Sequence, residues 1–481
     1  MTDLLWFVIL YLIISIGIGL FAATKVKNSA DYVVAGHHLP LPFIIATVFA
    51  TWFGSETVLG IPAKFLNDGL RGVVADPFGS SMCLILVGLF FARPLYRMGL
   101  LTIGDYYRAR YNRPVEVVTS LCIVMSYLGW VSAQVTALGL VFNVLTEGML
   151  EPWQGMMLGV SIVLVYTLAG GMFSVAFTDL FQMLIIGVGM VYIAMIVSGI
   201  AGGAGVVIDH AAKHGKFEFW PGLNAGEIIL FVSAWATMGL GSIPQQDVFQ
   251  RVSAAKNEKT AALGSVLGGS IYFFFAFVPM FLAYSASLID PKMVADLIAK
   301  DSQLILPRLI LDHAPFAVQV MFFGALLAAI LSCSSATLLA PSVTFAENVL
   351  RGFLPRLSDW QFLRLLRGVV FVFAMGVLSF AISSNSTIYG MVENAYKVTL
   401  VAAFTPLAFG LYWKRATTQG AAAAILLGLI TWVSLEVFNP DGFFPPQFAG
   451  VLMAFCGMIS GSLLPQWYGV QKHHRPQAKS A

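Results

Sequence analysis

Apolar runs of about twenty residues, the length that crosses a bilayer as a helix, recur along nearly the whole 481-residue chain with short polar connections between them. Within the runs, polar and apolar positions do not alternate as they would in the strands of a membrane barrel. The pattern predicts an all-α polytopic membrane protein with about thirteen transmembrane helices. The first run, Leu4 to Ala22, is read as a retained helix rather than a cleaved leader, because neither a basic start nor a small-residue cleavage site flanks it.

Two of the runs interrupt themselves. "TWFGSETVLGIP", Thr51 to Pro62, places Gly54, Ser55, Glu56 and Gly60 in the middle of the second run, and "TMGLGSIPQQDVFQR", Thr237 to Arg251, loosens the seventh with Gly239, Gly241 and Pro244. Backbone groups freed in this way find no partner in lipid, so they must face protein, water or an ion. The breaks lie five spans apart. Paired interruptions at corresponding places of two halves point to a transporter built from inverted repeats, with its binding site near the bilayer midplane. The ninth run adds "LSCSSATLL", in which Ser332 and Ser335 share one helix face at i, i+3. Hydroxyls at that depth suit a hard cation, and equally suit back-bonding to the preceding turn.

Composition and charge narrow the class. The chain is 58% hydrophobic and only 11% charged, and its longest polar stretches, near 201–224 and 289–314, are too short for a separate core. No phosphate-binding loop is present, so direct ATP-driven transport would need a second chain. The four cysteines fall in apolar runs without metal or disulfide spacing, and the seven histidines are scattered and mostly in connections. No catalytic constellation emerges, so the chain is not expected to be an enzyme. Most of the 27 Lys and Arg residues fall on alternate connections, Arg251 among them, which predicts an external N-terminus and a cytoplasmic C-terminus. Glu56 and Asp247 lie at the two breaks, suited to a cationic group, while Lys397 suits a carboxylate or, at i, i+4, an ion pair with Glu393.

Two further stretches carry a resemblance. "YTLAGGMFSVAFTDLFQ", Tyr166 to Gln182, and "GLYWKRATTQGAAAAILLGLI", Gly410 to Ile430, resemble the two signatures of the sodium:solute symporter family, in the right order and over nearly the whole chain. The resemblance implies a LeuT-like 5+5 inverted repeat with one extra helix before and two after. The corresponding division is 1–40 for the extra helix and its loop, 41–200 and 225–414 for the repeats about an external loop at 201–224, 415–467 for the last two helices, and 468–481 for a basic cytoplasmic tail.

It also implies Na+ as the coupling ion, held by carbonyls of Ala50, Phe53 and Ala329 and by Ser332, with Cys333 standing where a hydroxyl is common. Thr178, Asp179 and Ser335 would form an exit path or a second sodium site. Within the family, "TWFG", "SIPQQDVFQRV" and "LGLVFN" are similar to the choline transporter branch. Trp52 and Trp130 match two positions of that branch's aromatic cage, whereas Ser80 and Gln245 replace two others. The exchange implies a solute with more polar atoms, an amine or zwitterion. The expected function is sodium-coupled symport of a small polar organic solute across the cell membrane, without an obligate protein partner or nucleic acid. Proton coupling in the same fold, or a non-transporting solute sensor, are the alternatives.

Overall fold

The computed structural model describes residues 2–354, 356–384 and 386–467, so the basic tail expected at 468–481 lies outside the described residues. Every named element is helical. The elements used below are α1 (Thr2–Ala23), α2 (Ser29–Val34), α3 (Leu41–Trp52), α4 (Ile61–Asp68), α5 (Ser80–Leu86), α6 (Arg113–Leu145), α7 (Pro152–Ile200), α8 (Ala225–Gly239), α9 (Gln246–Ala254), α10 (Glu258–Phe275), α11 (Phe316–Thr344), α12 (Asp359–Ser383), α13 (Ile388–Thr399), α14 (Thr418–Phe438) and α15 (Pro446–Leu463).

Local chemistry explains where several of these begin. Asn112 accepts from the amide of Val115 and is followed by a proline in the first turn of α6; Asn257 and Thr417 cap α10 and α14 in the same way, and Ser358 makes a capping box with Gln361. α7 contains 49 residues, about 70 Å if straight, more than two bilayer cores. It bends at Gly171, where φ is 50° and ψ −132° and where an added Cβ would stand 2.3 Å from the Tyr32 carbonyl oxygen. Only glycine permits both the dihedral and the approach.

Ten described helices are long and apolar enough to cross a bilayer, against about thirteen expected. The difference arises where breaks cut α3 and α8 short, and where the stretches Glu56–Arg97 and Pro152–Ile200 run on through bends. At the centre stands α11, buried along nearly its whole length and packed on α7, α6 and α3. α14 and α15 pair with each other at the edge. On α14, Leu426, Ile430, Val433 and Val437 form an exposed stripe at helical spacing, which is what a lipid-facing surface requires.

Candidate functional site

The first break is short. α3 ends at Trp52, Phe53 and Gly54 leave the helix, and the chain re-enters through a wide turn over Glu56–Gly60 before α4. Gly54 is needed because Cys333 of α11 and Gln134 of α6 close on it: an added Cβ would stand 2.9 Å from the Cys333 sulfur and 2.9 Å from Gln134 Oε1. The Ser55 amide, freed by the break, donates to Gln134 Oε1 at 2.9 Å. A side chain from a neighbouring helix thus takes the place of the missing helical acceptor.

Beside this break four oxygen groups converge. Ser332 Oγ lies 3.3 Å from the Ala50 carbonyl oxygen and 2.5 Å from Asp179 Oδ1, and Thr47 Oγ1 donates to Asp179 Oδ2 at 2.5 Å. All four residues are fully buried. A carbonyl, two hydroxyls and a carboxylate are the donor types that a hard monovalent cation prefers. Of Ala50, Phe53, Ala329, Ser332 and Cys333, the structure joins Ala50 and Ser332 by a direct contact, and Asp179 joins Ser332. It does not meet Ser335, whose hydroxyl back-bonds to the Ser332 carbonyl at 2.9 Å, nor is it joined by Thr178, which back-bonds to Ser174 at 2.9 Å. The Cys333 thiol packs against Gly54.

One turn along, the aromatic residues gather. Trp52 and Trp130 have ring centroids 5.5 Å apart, and Tyr396 closes a triangle with them at 5.9 and 5.4 Å, stacked on Trp52 at 12°. Tyr127 stacks on Trp130 at 5.8 Å and Tyr272 meets Trp52 edge-on at 6.5 Å. Gln245, at the end of the second break, donates through Nε2 to Ser126 at 2.9 Å and to Thr399 at 3.3 Å. Ser80 donates to Asp76 and, at 3.2 Å, to the Pro77 carbonyl.

Two expectations about charge are corrected. Arg251, expected in a polar connection, is 2% exposed inside α9 and donates to the Asp247 carbonyl at 3.0 Å, because α9 turns under α11 and α3 instead of leaving the bundle. Lys397 reaches Glu436 of α14 at 3.5 Å and does not pair with Glu393, since tertiary packing brings a second helix alongside the expected i, i+4 partner.

Sequence reading missed Thr47, Asp76, Tyr127, Gln134, Tyr272 and Tyr396. Signals existed for two of them: Asp76 precedes a proline inside an apolar run, and Gln134 is an amide in the middle of another. The others are ordinary residues for a packed helix and carry no marker in the linear order.

Broken helices, an oxygen cluster at the break and an aromatic cluster one turn away define a membrane transporter of small solutes. The sodium:solute symporter family model matches residues 32–428, and the chain belongs to that family. It is 28% identical over 450 residues to the human high affinity choline transporter 1, covering 88% of this chain and 74% of that protein. It is also 26% identical to the osmoregulated proline transporter OpuE of Bacillus subtilis, covering 94% and 92%. Its fold matches, with a TM-score of 0.80 at 21% identity over 96% of this chain and 98% of the other, the solved outward-open structure of a Na+-coupled sialic acid symporter. The LeuT-like fold is thereby shared.

Proposed function

We propose that this protein is a sodium-coupled symporter that imports a small organic amine or zwitterion by alternating access, with an external N-terminus and a cytoplasmic C-terminus. The observation that carries the reading is the junction of α3 and α11: the Ala50 carbonyl and Ser332 hydroxyl approach to 3.3 Å with Asp179 and Thr47 beside them, while Trp52, two residues on, enters the aromatic cluster. One ion held there ties the broken helix to α11 and sets the backbone that presents Trp52 and Glu56 to a solute. Sodium is substrate here as much as the solute is, and its departure lets the two helices separate. Aromatic faces at Trp52, Trp130 and Tyr396 attract a cationic nitrogen, worth ~2 kcal/mol for a favourable desolvated ring.

Thermal stabilisation of the purified protein tests this directly, with choline, betaine, proline, ethanolamine and a sugar control, each in sodium and in potassium. Ligand binding to the folded state raises stability by mass action. A nitrogenous solute that stabilises in sodium and not in potassium is the expected result; equal stabilisation in both salts would defeat sodium coupling and favour a proton-driven or sensing role.

A further inference from the structure

The second carboxylate region of the core has no part in the ion cluster. Glu56 is 4% exposed and Asp76 1% exposed. Asp76 sits in a further helix interruption just before α5, with φ −138° and ψ 123°, outside helical geometry. Tyr272 of α10 links the two regions: its hydroxyl donates to Asp76 Oδ1 at 2.5 Å and lies 3.1 Å from Thr57 Oγ1, the neighbour of Glu56, while Thr57 in turn donates to the Trp52 carbonyl at 3.1 Å. Tyr272 also contacts the Trp52 ring. The acidic region therefore abuts the aromatic cluster, with Tyr272 shared between them.

What sets this region apart is that neither carboxylate has a cationic partner. Among the described residues, Glu56 Oε1 is buried without any hydrogen-bond partner, and no lysine or arginine lies within ion-pair distance of Glu56 or Asp76. The nearest cations in sequence, Lys64 and Arg71, pair with Asp68 and Glu218. Both hydroxyl donors to Asp76, from Ser80 and Tyr272, go to Oδ1, leaving Oδ2 outside these bonds. Two carboxylates at this depth without a counter-charge are costly, and a bound cation removes the cost. Next to this region along the chain, a cavity of about 350 Å³ is lined by Val74 and Ala75, the residues leading into Asp76, and by Lys64, Arg71, Tyr389 and Glu393, while Glu56 and Asp76 themselves stay buried behind it. Tyr389 is bonded to the Gly72 carbonyl at 3.3 Å and packs on the turn at Gly60.

We propose that Glu56 and Asp76 together bind the ammonium group of the solute, and that the solute is a protonated primary or secondary amine in preference to a quaternary ammonium. The unpartnered Glu56 oxygen calls for a hydrogen-bond donor, which a nitrogen bearing N–H supplies and a trimethylated nitrogen does not. Charge-assisted hydrogen bonds of this kind are shorter and stronger than neutral ones. A methylated nitrogen gains only the aromatic attraction, and its methyl groups hold the charge away from both carboxylates. This assignment rests on the reading of the chain as an amine or zwitterion symporter and specifies the class of amine.

The test is a set of matched pairs: ethanolamine against choline, glycine against betaine, and 4-aminobutyrate against its trimethylated form, with binding to the purified protein in sodium read from thermal stabilisation. At least one primary amine is expected to bind about tenfold more tightly than its trimethylated partner, the equivalent of one charge-assisted hydrogen bond. The preference is expected to fall toward unity in Glu56→Gln and in Asp76→Asn. The wild-type comparison stands without either variant folding. A trimethylated partner that binds as well as or better than its amine overturns the proposal while leaving sodium symport intact, and so does failure of every amine to bind. A change of sodium affinity in Asp76→Asn without any change in amine preference also overturns it, by assigning the carboxylates to the ion. Loss of sodium dependence for every ligand strikes instead at the symport reading itself.

Discussion

The two helix breaks look alike along the chain and are built differently. Between α3 and α4 the chain leaves the helix for about one turn, and the groups it frees meet partners of other chemistry: the Ser55 amide finds Gln134, and the Ala50 carbonyl finds Ser332 beside Asp179. Between α8 and α9 the interruption, Leu240 to Gln245, is bolted to the scaffold. Gly241 lies so close to α13 that an added Cβ would stand 2.7 Å from the Tyr396 carbonyl oxygen, and Gln245 is tied to Ser126 and Thr399. Tyr127 donates to the Asp247 carboxylate just beyond, and its oxygen accepts from the Asp247 amide at 2.9 Å. One break brings the Ala50 carbonyl to Ser332 and Asp179; the other holds Gln245 and Asp247 against residues beside the aromatic cluster. Interruption alone therefore does not gather oxygen ligands; the partners recruited from other helices decide which groups converge.

The largest effect is expected where the first break meets α11. Asp179→Asn keeps the shape and removes the charge, so the sodium concentration for half-maximal uptake in proteoliposomes should rise by about ten- to a hundredfold, the worth of one or more charge-assisted contacts. An unchanged sodium dependence would remove Asp179 from the ion cluster. Gln134→Leu leaves the Ser55 amide buried without an acceptor and should cost about 1–3 kcal/mol in denaturant or thermal unfolding, whereas Gln245→Leu, which strips hydroxyl partners that retain other bonds, should cost about 1 kcal/mol. Equal losses would erase the distinction between the two breaks.

Gly54→Ala forces a methyl against the Cys333 sulfur and should destabilise by about 1–3 kcal/mol through overpacking. Part of that loss should return in the double variant with Cys333→Ala, as expected for a contacting pair. Cys333→Ser exchanges a soft thiol for an oxygen ligand and should lower the half-maximal sodium concentration by about threefold, under 1 kcal/mol. The smallest effect belongs to the Lys397–Glu436 pair, where Glu436 is 42% exposed; Glu436→Gln should change stability by less than about 1 kcal/mol.

Much of the candidate site is legible in the sequence because its markers are rare in membrane helices. Gly54, Glu56 and Pro62 together depart from what lipid tolerates and so announce themselves, and Ser332 stands out in the cluster of hydroxyls at 332–335. Asp179 stands out in the sequence by its place after Thr178 within a family signature, and in the structure it bonds Ser332 and Thr47 and not Ser335. Thr47 was invisible because a threonine in a transmembrane helix ordinarily bonds to its own preceding turn, as Thr51 does to the Thr47 carbonyl at 2.6 Å. Tyr272 and Tyr396 read as packing aromatics. Lys397 and Arg251 were misjudged for a related reason: charge at a helix end says nothing about which neighbour packs over it.

The chain order by itself determined the helical class, the positions of the breaks and the kinds of donor available, since these follow from the cost of placing polar groups in hydrocarbon and act residue by residue. Tertiary structure alone decided which donors converge. Asp179 and Ser332 are separated by 153 positions and Tyr272 and Asp76 by 196, and their meeting depends on how α11 packs on α7 and α10 on the interruption before α5. Pairing across such distances is set by side-chain shape and helix crossing, quantities that periodicity and hydropathy do not carry.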